Sequence, residues 1–224
     1  MLEALLSTNR LGPGGGEPGA SEPIHGDDTY GFYGEVLNPD IPSGMELRQL
    51  VGLNGFGTER NPYSKWVKFA LDGKKLYFPL QPLYYNISWD KIHSVGAVFG
   101  KEIVWGGRRF KVRLFKGSSS DPTALGQFND PTQTPTSEWN RLMYPIHDTH
   151  PGGAPNWANY ANLELGVSWT GSPIDFFATW CQESRSGFAQ AVHRGYNGIA
   201  HYNYNSKGTG GTPMCWRPIL ELVE

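Results

Sequence analysis

The most constraining feature of the sequence is a pair of β-rich runs on either side of a two-residue turn signal. Residues 66–71 (WVKFAL) and 74–78 (KKLYF) are rich in aromatic and aliphatic side chains, and Asp72-Gly73 lies between them. Asp-Gly is a preferred two-residue connection between antiparallel strands, because both of its positions adopt positive φ angles. The pattern therefore predicts a β-hairpin that opens the main domain.

Short helices are predicted from their N-terminal capping residues. Ser43 followed three positions later by Glu46 is a capping-box pattern, and an apolar stripe follows it. Ser88 is placed to cap a helix over residues 89–95, and a further short helix is predicted over 137–143 (SEWNRLM). The main domain therefore contains two short helices.

Strand patterns dominate the rest of the main domain. Residues 109–115 alternate apolar and basic side chains, which is typical of a half-buried strand. The run 218–223 (PILELV) is so apolar that it needs a strand partner, and the opening hairpin is the natural candidate. Two helices among many short strands form an α+β pattern. The other predicted strands cover residues 163–169, 176–182, 188–194, 199–204 and 216–223.

Composition and charge exclude several classes of protein. The 224 residues include 19 Lys and Arg against 21 Asp and Glu, for a formal charge of −2. Nucleic acid is not expected as the main partner, because phosphate binding needs a basic face. No apolar run approaches the roughly 20 residues of a membrane-spanning helix, so no membrane partner is expected. The first six residues (MLEALL) are too few and too acidic for a secretion signal.

The N-terminal region is predicted to be an extended arm. A cluster of Gly and Pro occupies residues 12–19, and the acidic pair Asp27-Asp28 follows it. Such a segment cannot bury enough apolar surface to fold alone, and it becomes ordered when partners supply that surface. The chain is therefore divided into an extended N-terminal docking arm, a short helix with a linker, and the main domain. These three parts cover residues 1–42, 43–61 and 62–224.

The cysteines and glycine-rich segments do not indicate a catalytic site. Cys181 and Cys215 are interpreted as two free buried thiols, with a single bridge between two late strands as the alternative. Cys181 lacks the local motif of a cysteine nucleophile. The glycine-rich residues 12–19 and 52–57 lack the other residues of a nucleotide-binding loop. No catalytic residue is assigned, and no cofactor is expected.

Residues 147–150 (HDTH) place two imidazoles and a carboxylate within four positions. Metal sites use such groups, but a loop between Pro145 and Pro151 does not supply the i, i+4 geometry of a helix. Two interpretations remain, a metal site or side chains that are solvated or pin the loop, and the second is favoured. No metal ligand is assigned.

A contact surface is predicted from aromatic and polar residues late in the chain. Tyr and Trp combine a large contact area with a polar end, and interleaved Asn and His add adaptable hydrogen bonds. An alternative interpretation is that the aromatic residues between 193 and 204 fill the core between strands. The candidate surface residues are Trp157, Tyr160, Trp169, Tyr196, His201, Tyr202 and Tyr204.

Several motifs together carry a resemblance to a known family. They are residues 88–90 (SWD), 137–144 (SEWNRLMY) and 215–222 (CWRPILEL), with support from 66–69 (WVKF), 72–76 (DGKKL) and 109–114 (RFKVRL). Between residues 44 and 223 the chain resembles tailed-bacteriophage virion proteins whose C-terminal domain is similar to the C-type-lectin-like fold. Formylglycine-generating enzymes share that fold. The resemblance implies a C-type-lectin-like domain of many short antiparallel strands, two short helices and long loops, closed by its N- and C-terminal strands.

The chain departs from two functional patterns of proteins with this fold. Calcium-dependent lectins carry Glu-Pro-Asn or Gln-Pro-Asp together with Trp-Asn-Asp, whereas this chain has QPL at 81–83 and WNR at 139–141. Cys181 and Cys215 lack the sequence setting of the copper-binding pair of formylglycine-generating enzymes. Neither calcium-mediated sugar binding nor oxidase activity is therefore expected.

The resemblance implies a non-enzymatic structural protein of a virion, assembled in the host cytoplasm. It would be a decoration or fibre component of the head, neck or tail. Residues 1–42 would bind other virion proteins, and the lectin-like domain would face outward. A homo-oligomer is expected, with a trimer as the first hypothesis. The alternative is a receptor-binding tip protein that contacts a host surface glycan or protein.

Overall fold

The computed structural model describes residues 16–37, 40–122, 136–168, 177–211 and 213–223. Within these ranges the protein has a mixed α+β structure with 13 strands in two sheets and three short α-helices, which confirms the predicted class. In chain order the strands are β1 (His25–Gly26), β2 (Tyr30–Val36), β3 (Thr58–Glu59), β4 (Trp66–Leu71), β5 (Lys74–Pro79), β6 (Tyr84–Tyr85), β7 (Lys101–Trp105), β8 (Arg108–Arg113), β9 (Ala178–Ser184), β10 (Gln190–Arg194), β11 (Tyr202–Ser206), β12 (Met214–Trp216) and β13 (Ile219–Val223).

The predicted hairpin lies at the centre of the first sheet, whose strand order is β1-β2-β4-β5-β13-β8-β7. Asp72 and Gly73 connect β4 to β5 with φ angles of 53° and 74°, as a tight hairpin turn requires. The C-terminal strand β13 is antiparallel to both β5 and β8, with Leu220 opposite Tyr77 on one side and Val112 on the other. The expectation that the terminal strand pairs with the hairpin is confirmed.

The second sheet has the order β11-β10-β9-β12-β6-β3. β9 and β12 are parallel, with Cys215 opposite Thr179. The other neighbouring strands of this sheet pair in the antiparallel direction. β9, β10 and β11 lie close to the positions predicted for three late strands. A strand is also predicted over residues 163–169, but its described part, 163–168, forms turns with local hydrogen bonds such as Val167 N–H to Asn162 O at 2.8 Å.

The α-helices begin at the predicted capping serines and are α1 (Gly44–Val51), α2 (Trp89–Ser94) and α3 (Glu138–Met143). At α1, the Ser43 hydroxyl accepts from the backbone N–H of Glu46, and the Glu46 carboxylate accepts from that of Ser43. Short 3-10 turns follow α3 at Tyr144–Ile146 and Pro151–Gly153. Among the described residues, no helix has the length and apolar character needed to cross a membrane.

The central strands of the first sheet are buried on both faces. Along β5, Tyr77 belongs to one apolar cluster, which also contains side chains of α1 and α2. Its neighbours Leu76 and Phe78 belong to a second cluster, which contains Trp139 of α3. Because successive strand residues point to opposite faces, the sheet separates the two clusters. The second cluster thus packs α3 against this sheet.

The N-terminal region differs from the predicted arm of residues 1–42. β2 pairs along β4 and buries Phe32, and the buried Lys68 holds the preceding segment through Glu17 at 2.9 Å and the carbonyl oxygen of Ala20 at 2.6 Å. Without β2, the apolar strand β4 would present an unpaired edge to solvent. Residues 16–37 therefore belong to the folded domain, and residues 1–15 lie outside the described part.

Candidate functional site

Two of the predicted surface residues lie in the core. Tyr202 and Tyr204, on β11, are 1 % and 7 % exposed, and both belong to the apolar cluster around α3. The guanidinium of buried Arg194 lies 5.5 Å from the centre of the Tyr202 ring. The alternative interpretation, in which these aromatics fill the core, is therefore the correct one for these two tyrosines.

Tyr196 and His201 are partly buried and form a ring cluster with buried His193. The ring centres of the two histidines lie 6.4 Å apart. Burial, followed by the charge of Arg194, lowers the pKa of His201, and burial lowers the pKa of His193 to about 3. Both imidazoles are therefore held neutral. The remaining candidate of this group, Trp169, lies outside the described residues.

Trp157 and Tyr160 lie apart from that cluster. The Trp157 ring packs against Tyr30 of β2 with 4.6 Å between ring centres. The Tyr160 hydroxyl donates a hydrogen bond to Glu35 Oε1 at 3.1 Å. Burial and the nearby Glu35 carboxylate raise the pKa of Tyr160 above its ordinary value, so its hydroxyl stays protonated. Both residues thus join the loop after α3 to β2.

The HDTH motif pins its own loop. His147 is buried, and its Nδ1 accepts a hydrogen bond from the Thr149 backbone N–H at 3.1 Å. Its Nε2 lies 2.9 Å from Asn162 Oδ1, within hydrogen-bonding distance. The described residues contain no group of three or more His, Cys, Asp and Glu side chains arranged to hold a metal ion. Both imidazole nitrogens of His147 have protein partners, as the loop-pinning interpretation expects.

The two cysteines are free and buried. Burial raises the pKa of the Cys215 thiol to about 12 and the pKa of the Cys181 thiol well above its ordinary value. A thiol attacks as its thiolate, and both residues are held in the protonated form near neutral pH. The interpretation as two buried free thiols is confirmed, and their environment disfavours a nucleophilic role.

The strongest candidate site is a cleft of about 470 Å³ beside Tyr160. Three segments form it, namely residues 61–65 before β4, residues 80–81 after β5, and the loop that carries Tyr160 and Glu164. The Tyr63 side chain lines the cleft and is 70 % exposed. An exposed aromatic residue in a concave, mixed polar and apolar surface is a common arrangement in binding sites.

Hydrogen bonds within the cleft fix the position of its walls. The backbone N–H of Gln81 donates to Ser64 Oγ at 3.0 Å, and the Gln81 side-chain amide donates to the carbonyl oxygen of Leu163 at 2.9 Å. The Asn61 amide donates to the carbonyl oxygen of Pro82 at 3.2 Å. The three segments are thus connected to one another, so the cleft is largely formed before any ligand arrives.

An ion pair borders the same cleft. Lys65 Nζ lies 3.0 Å from Glu35 Oε1, which also accepts the hydrogen bond from Tyr160. Glu164 also lines the cleft, and one of its carboxylate oxygens accepts the backbone N–H of Ala161 at 2.9 Å. The lining therefore contains one carboxylate, one ammonium group and two tyrosine side chains, with the Glu35 carboxylate at its border.

Comparison of the chain with protein-family models, with curated proteins and with solved structures gives no match. The cleft is therefore interpreted from its own geometry. Among the predicted surface residues in the described part of the chain, Tyr160 is the one that lines it. Sequence reasoning missed Tyr63 and Gln81, although the turn-forming Asn61-Pro62 directly before an aromatic residue marks an exposed loop.

Proposed function

We propose that the protein is a non-enzymatic structural component of a tailed-bacteriophage virion, with a C-type-lectin-like domain that faces outward. The basis is the resemblance of its sequence motifs to those of such virion proteins. The proposal includes attachment to other virion proteins through the N-terminal region and a homo-oligomeric, first of all trimeric, assembly.

The observation that carries the proposal is the convergence of these motifs in the fold. Arg113 of β8, Glu138 of α3 and Glu221 of β13 come from three of the motifs and form one network, in which Arg113 and Glu138 are buried and Glu221 is partly buried. Arg113 Nη2 lies 2.7 Å from Glu138 Oε1, and its Nε lies 2.9 Å from Glu221 Oε2. The pKa of Arg113 is raised because these two carboxylates outweigh the effect of burial. The network joins α3 to the first sheet.

A second contact between motif residues joins Arg217 and Trp139. Fully buried Arg217 donates to the carbonyl oxygens of Leu165 and Gly166, and its guanidinium lies 5.6 Å from the centre of the Trp139 ring. Trp139 Nε1 donates to the carbonyl oxygen of Ile199 at 2.9 Å. The shared motifs thus build the framework that positions the loops, which supports a common fold between this chain and the virion proteins it resembles.

The reactive side chains also favour a structural role. Cys181, Cys215 and His147 are three side chains of types that serve nucleophilic or metal chemistry. The two thiols are buried and protonated, and both imidazole nitrogens of His147 are hydrogen-bonded within its own loop. These groups maintain the fold in the arrangement described.

Mass spectrometry of purified phage particles tests the virion proposal. Peptides of the chain are expected in the particle fraction at a constant ratio to the major coat protein through successive purification steps. Peptides that stay in the free-protein fraction while the particles are intact would contradict the proposal. Sedimentation of the purified chain tests the trimer, and a monomer at micromolar concentration would refute it.

Deletion of residues 1–15 tests the proposed attachment. Residues 16–37 contribute β2 to the first sheet, so the deletion stops before the segment that the fold needs. The variant is expected to keep the thermal unfolding transition of the full chain and to be absent from particles. Normal incorporation of the truncated chain would show that these residues do not provide the attachment.

A second candidate function, contact with a host surface, is favoured by the cleft around Tyr63. Particles that carry Tyr63→Ala are expected to form normally and to adsorb more slowly to host cells. Phe188→Ala changes another exposed aromatic residue, which is 53 % exposed and does not line this cleft, and it serves as the matched control. Equal adsorption of both variants and the unmodified particle would count against this function.

A further inference from the structure

We propose that the cleft around Tyr63 binds a neutral, hydroxyl-rich saccharide. The inference rests on the second proposed function, contact with a host surface, and it names the chemical class of the ligand. The binding mode uses an aromatic ring and oxygen acceptors of the protein directly. It is thus distinct from the calcium-mediated mode that the sequence motifs argue against.

The aromatic part of the site is Tyr63, supported by Tyr160. Tyr63 is 70 % exposed, and it lies in the turn that precedes the buried strand β4. The C–H-rich face of a sugar ring is a suitable partner, because it removes apolar ring surface from water without enclosing the polar hydroxyl groups. Pro62 and Leu80 extend this apolar part of the lining.

The polar part of the site is rich in hydrogen-bond acceptors. Gln81 and Asn61 use their amide N–H groups on the carbonyl oxygens of Leu163 and Pro82. This fixes both side chains and, within the described part of the chain, leaves their side-chain oxygens to accept further hydrogen bonds. Glu164 has a second carboxylate oxygen besides the one that accepts the Ala161 N–H. Such a set complements a ligand with several O–H donors.

The charges at the site select against an acidic ligand. Lys65 is the cation of the cleft, and it already pairs with Glu35 at 3.0 Å. Glu164 is the carboxylate of the cleft lining, and Glu35 lies beside Lys65 outside that lining. An anionic sugar would meet the Glu164 carboxylate and a Lys65 ammonium group that is already paired with Glu35, so its binding is opposed by like-charge repulsion. A neutral saccharide avoids this repulsion.

The volume and rigidity of the cleft also fit a small saccharide. A volume of about 470 Å³ lies in the usual range for small-molecule sites, and it is large enough for one or two sugar rings. The hydrogen bonds that join its three segments reduce the ordering entropy lost on binding. The open side of the cleft allows a longer chain to continue into solvent.

The experiment uses the purified full chain and isothermal titration calorimetry. The neutral probes are oligomers of dextran, amylose, mannan, galactan and chitin, and the acidic probes are oligomers of polygalacturonate and heparin. At least one neutral oligomer is expected to bind, with an affinity that does not change with sodium chloride concentration. Tyr63→Ala is expected to weaken this binding about tenfold through loss of the aromatic contact, whereas Tyr63→Phe, which keeps the ring, retains most of it.

The outcomes separate this inference from the proposals on which it rests. No Tyr63-dependent binding of any neutral probe, or a preference for the acidic probes, overturns the saccharide assignment. If Tyr63→Ala particles then still lose adsorption, the cleft contacts a host protein and the second function stands. If saccharide binding is found and adsorption is unaffected, the second function is wrong and the binding site stands. Thermal unfolding of each variant, with Phe188→Ala as control, confirms that the fold is intact.

Discussion

Replacing Glu183 with Gln is expected to stabilise the protein at alkaline pH and to have less effect in acid. Glu183 lies on β9, is buried, and accepts the Gly117 backbone N–H at 2.9 Å. Burial is the main cause that raises its pKa from 4.5 to about 7, and the carboxylates of Glu138 and Asp121 add to the effect. The hydrogen bond from Gly117 acts in the opposite direction. Above this pKa the fold therefore holds a poorly solvated charge.

The sign of this pH effect follows from the number of protons bound by the folded and the unfolded state. Between pH 4.5 and about 7, the folded state keeps a proton on Glu183 that the unfolded state has released. The free energy of unfolding therefore falls as pH rises through this interval, and the full penalty is present above the folded pKa. From the two pKa values, this single group lowers the free energy of unfolding by about 2–3 kcal/mol between about pH 5 and about pH 8.

Urea unfolding of the unmodified chain and of Glu183→Gln, at those two pH values, measures the effect. The new amide changes packing and hydrogen bonding equally at both pH values, so the difference between the two measurements isolates ionisation. The variant is expected to gain about 2–3 kcal/mol relative to the unmodified chain on going from acid to alkaline pH. Glu102→Gln, at an exposed carboxyl group of β7, is the control for the change in net charge. An equal effect of Glu183→Gln at both pH values would refute the reasoning.

Three further substitutions test the buried groups. Arg113→Met leaves the Glu138 carboxylate without its buried partner and is expected to lower the free energy of unfolding by about 3–5 kcal/mol, and adding Glu138→Gln should restore part of the loss in urea unfolding. Burial lowers the pKa of His193 from 6.5 to about 3, so protonation of this residue favours the unfolded state. His193→Leu should therefore remove a loss of about 2–3 kcal/mol in the free energy of unfolding between about pH 7 and about pH 4.5. An unchanged pH profile in urea unfolding would contradict this. Gly117→Ala places a Cβ 2.6 Å from Cys181 Sγ and 2.8 Å from Cys181 Cβ, and it should lower the free energy of unfolding by about 1–3 kcal/mol. An unchanged thermal unfolding transition of this variant would refute the steric cause.

The elements that sequence predicts well are those whose signals are local. The Asp72-Gly73 turn and the capping serines, such as Ser43, specify their conformations within four residues, and the structure has them where expected. β2 was missed because its strand character depends on pairing with β4. Gly31 and Gly34 interrupt its apolar residues, and the register shifts between Phe32 and Gly34.

The site was less predictable because its parts come from distant segments. Tyr63, Gln81 and Glu164 meet in one cleft although about 100 residues separate the first from the last. The sequence did hold a usable signal for Tyr202 and Tyr204, since two aromatics on either side of a polar residue match the period of a half-buried strand. That pattern favours burial of both tyrosines, as the structure has them.

The positions of the last two strands have a consequence for synthesis of the chain. β12 lies between β9 and β6, and β13 lies between β5 and β8, so each occupies an interior place in its sheet. The strands that pair with them are translated earlier. Their pairing stays incomplete until residues 213–223 leave the ribosome, because each sheet lacks an interior strand before then. A nascent chain that stops short of this segment is expected to expose four strand edges at once and to be a ready target for proteases. The order of translation thus allows folding to be completed only by polypeptides that have been translated through β13.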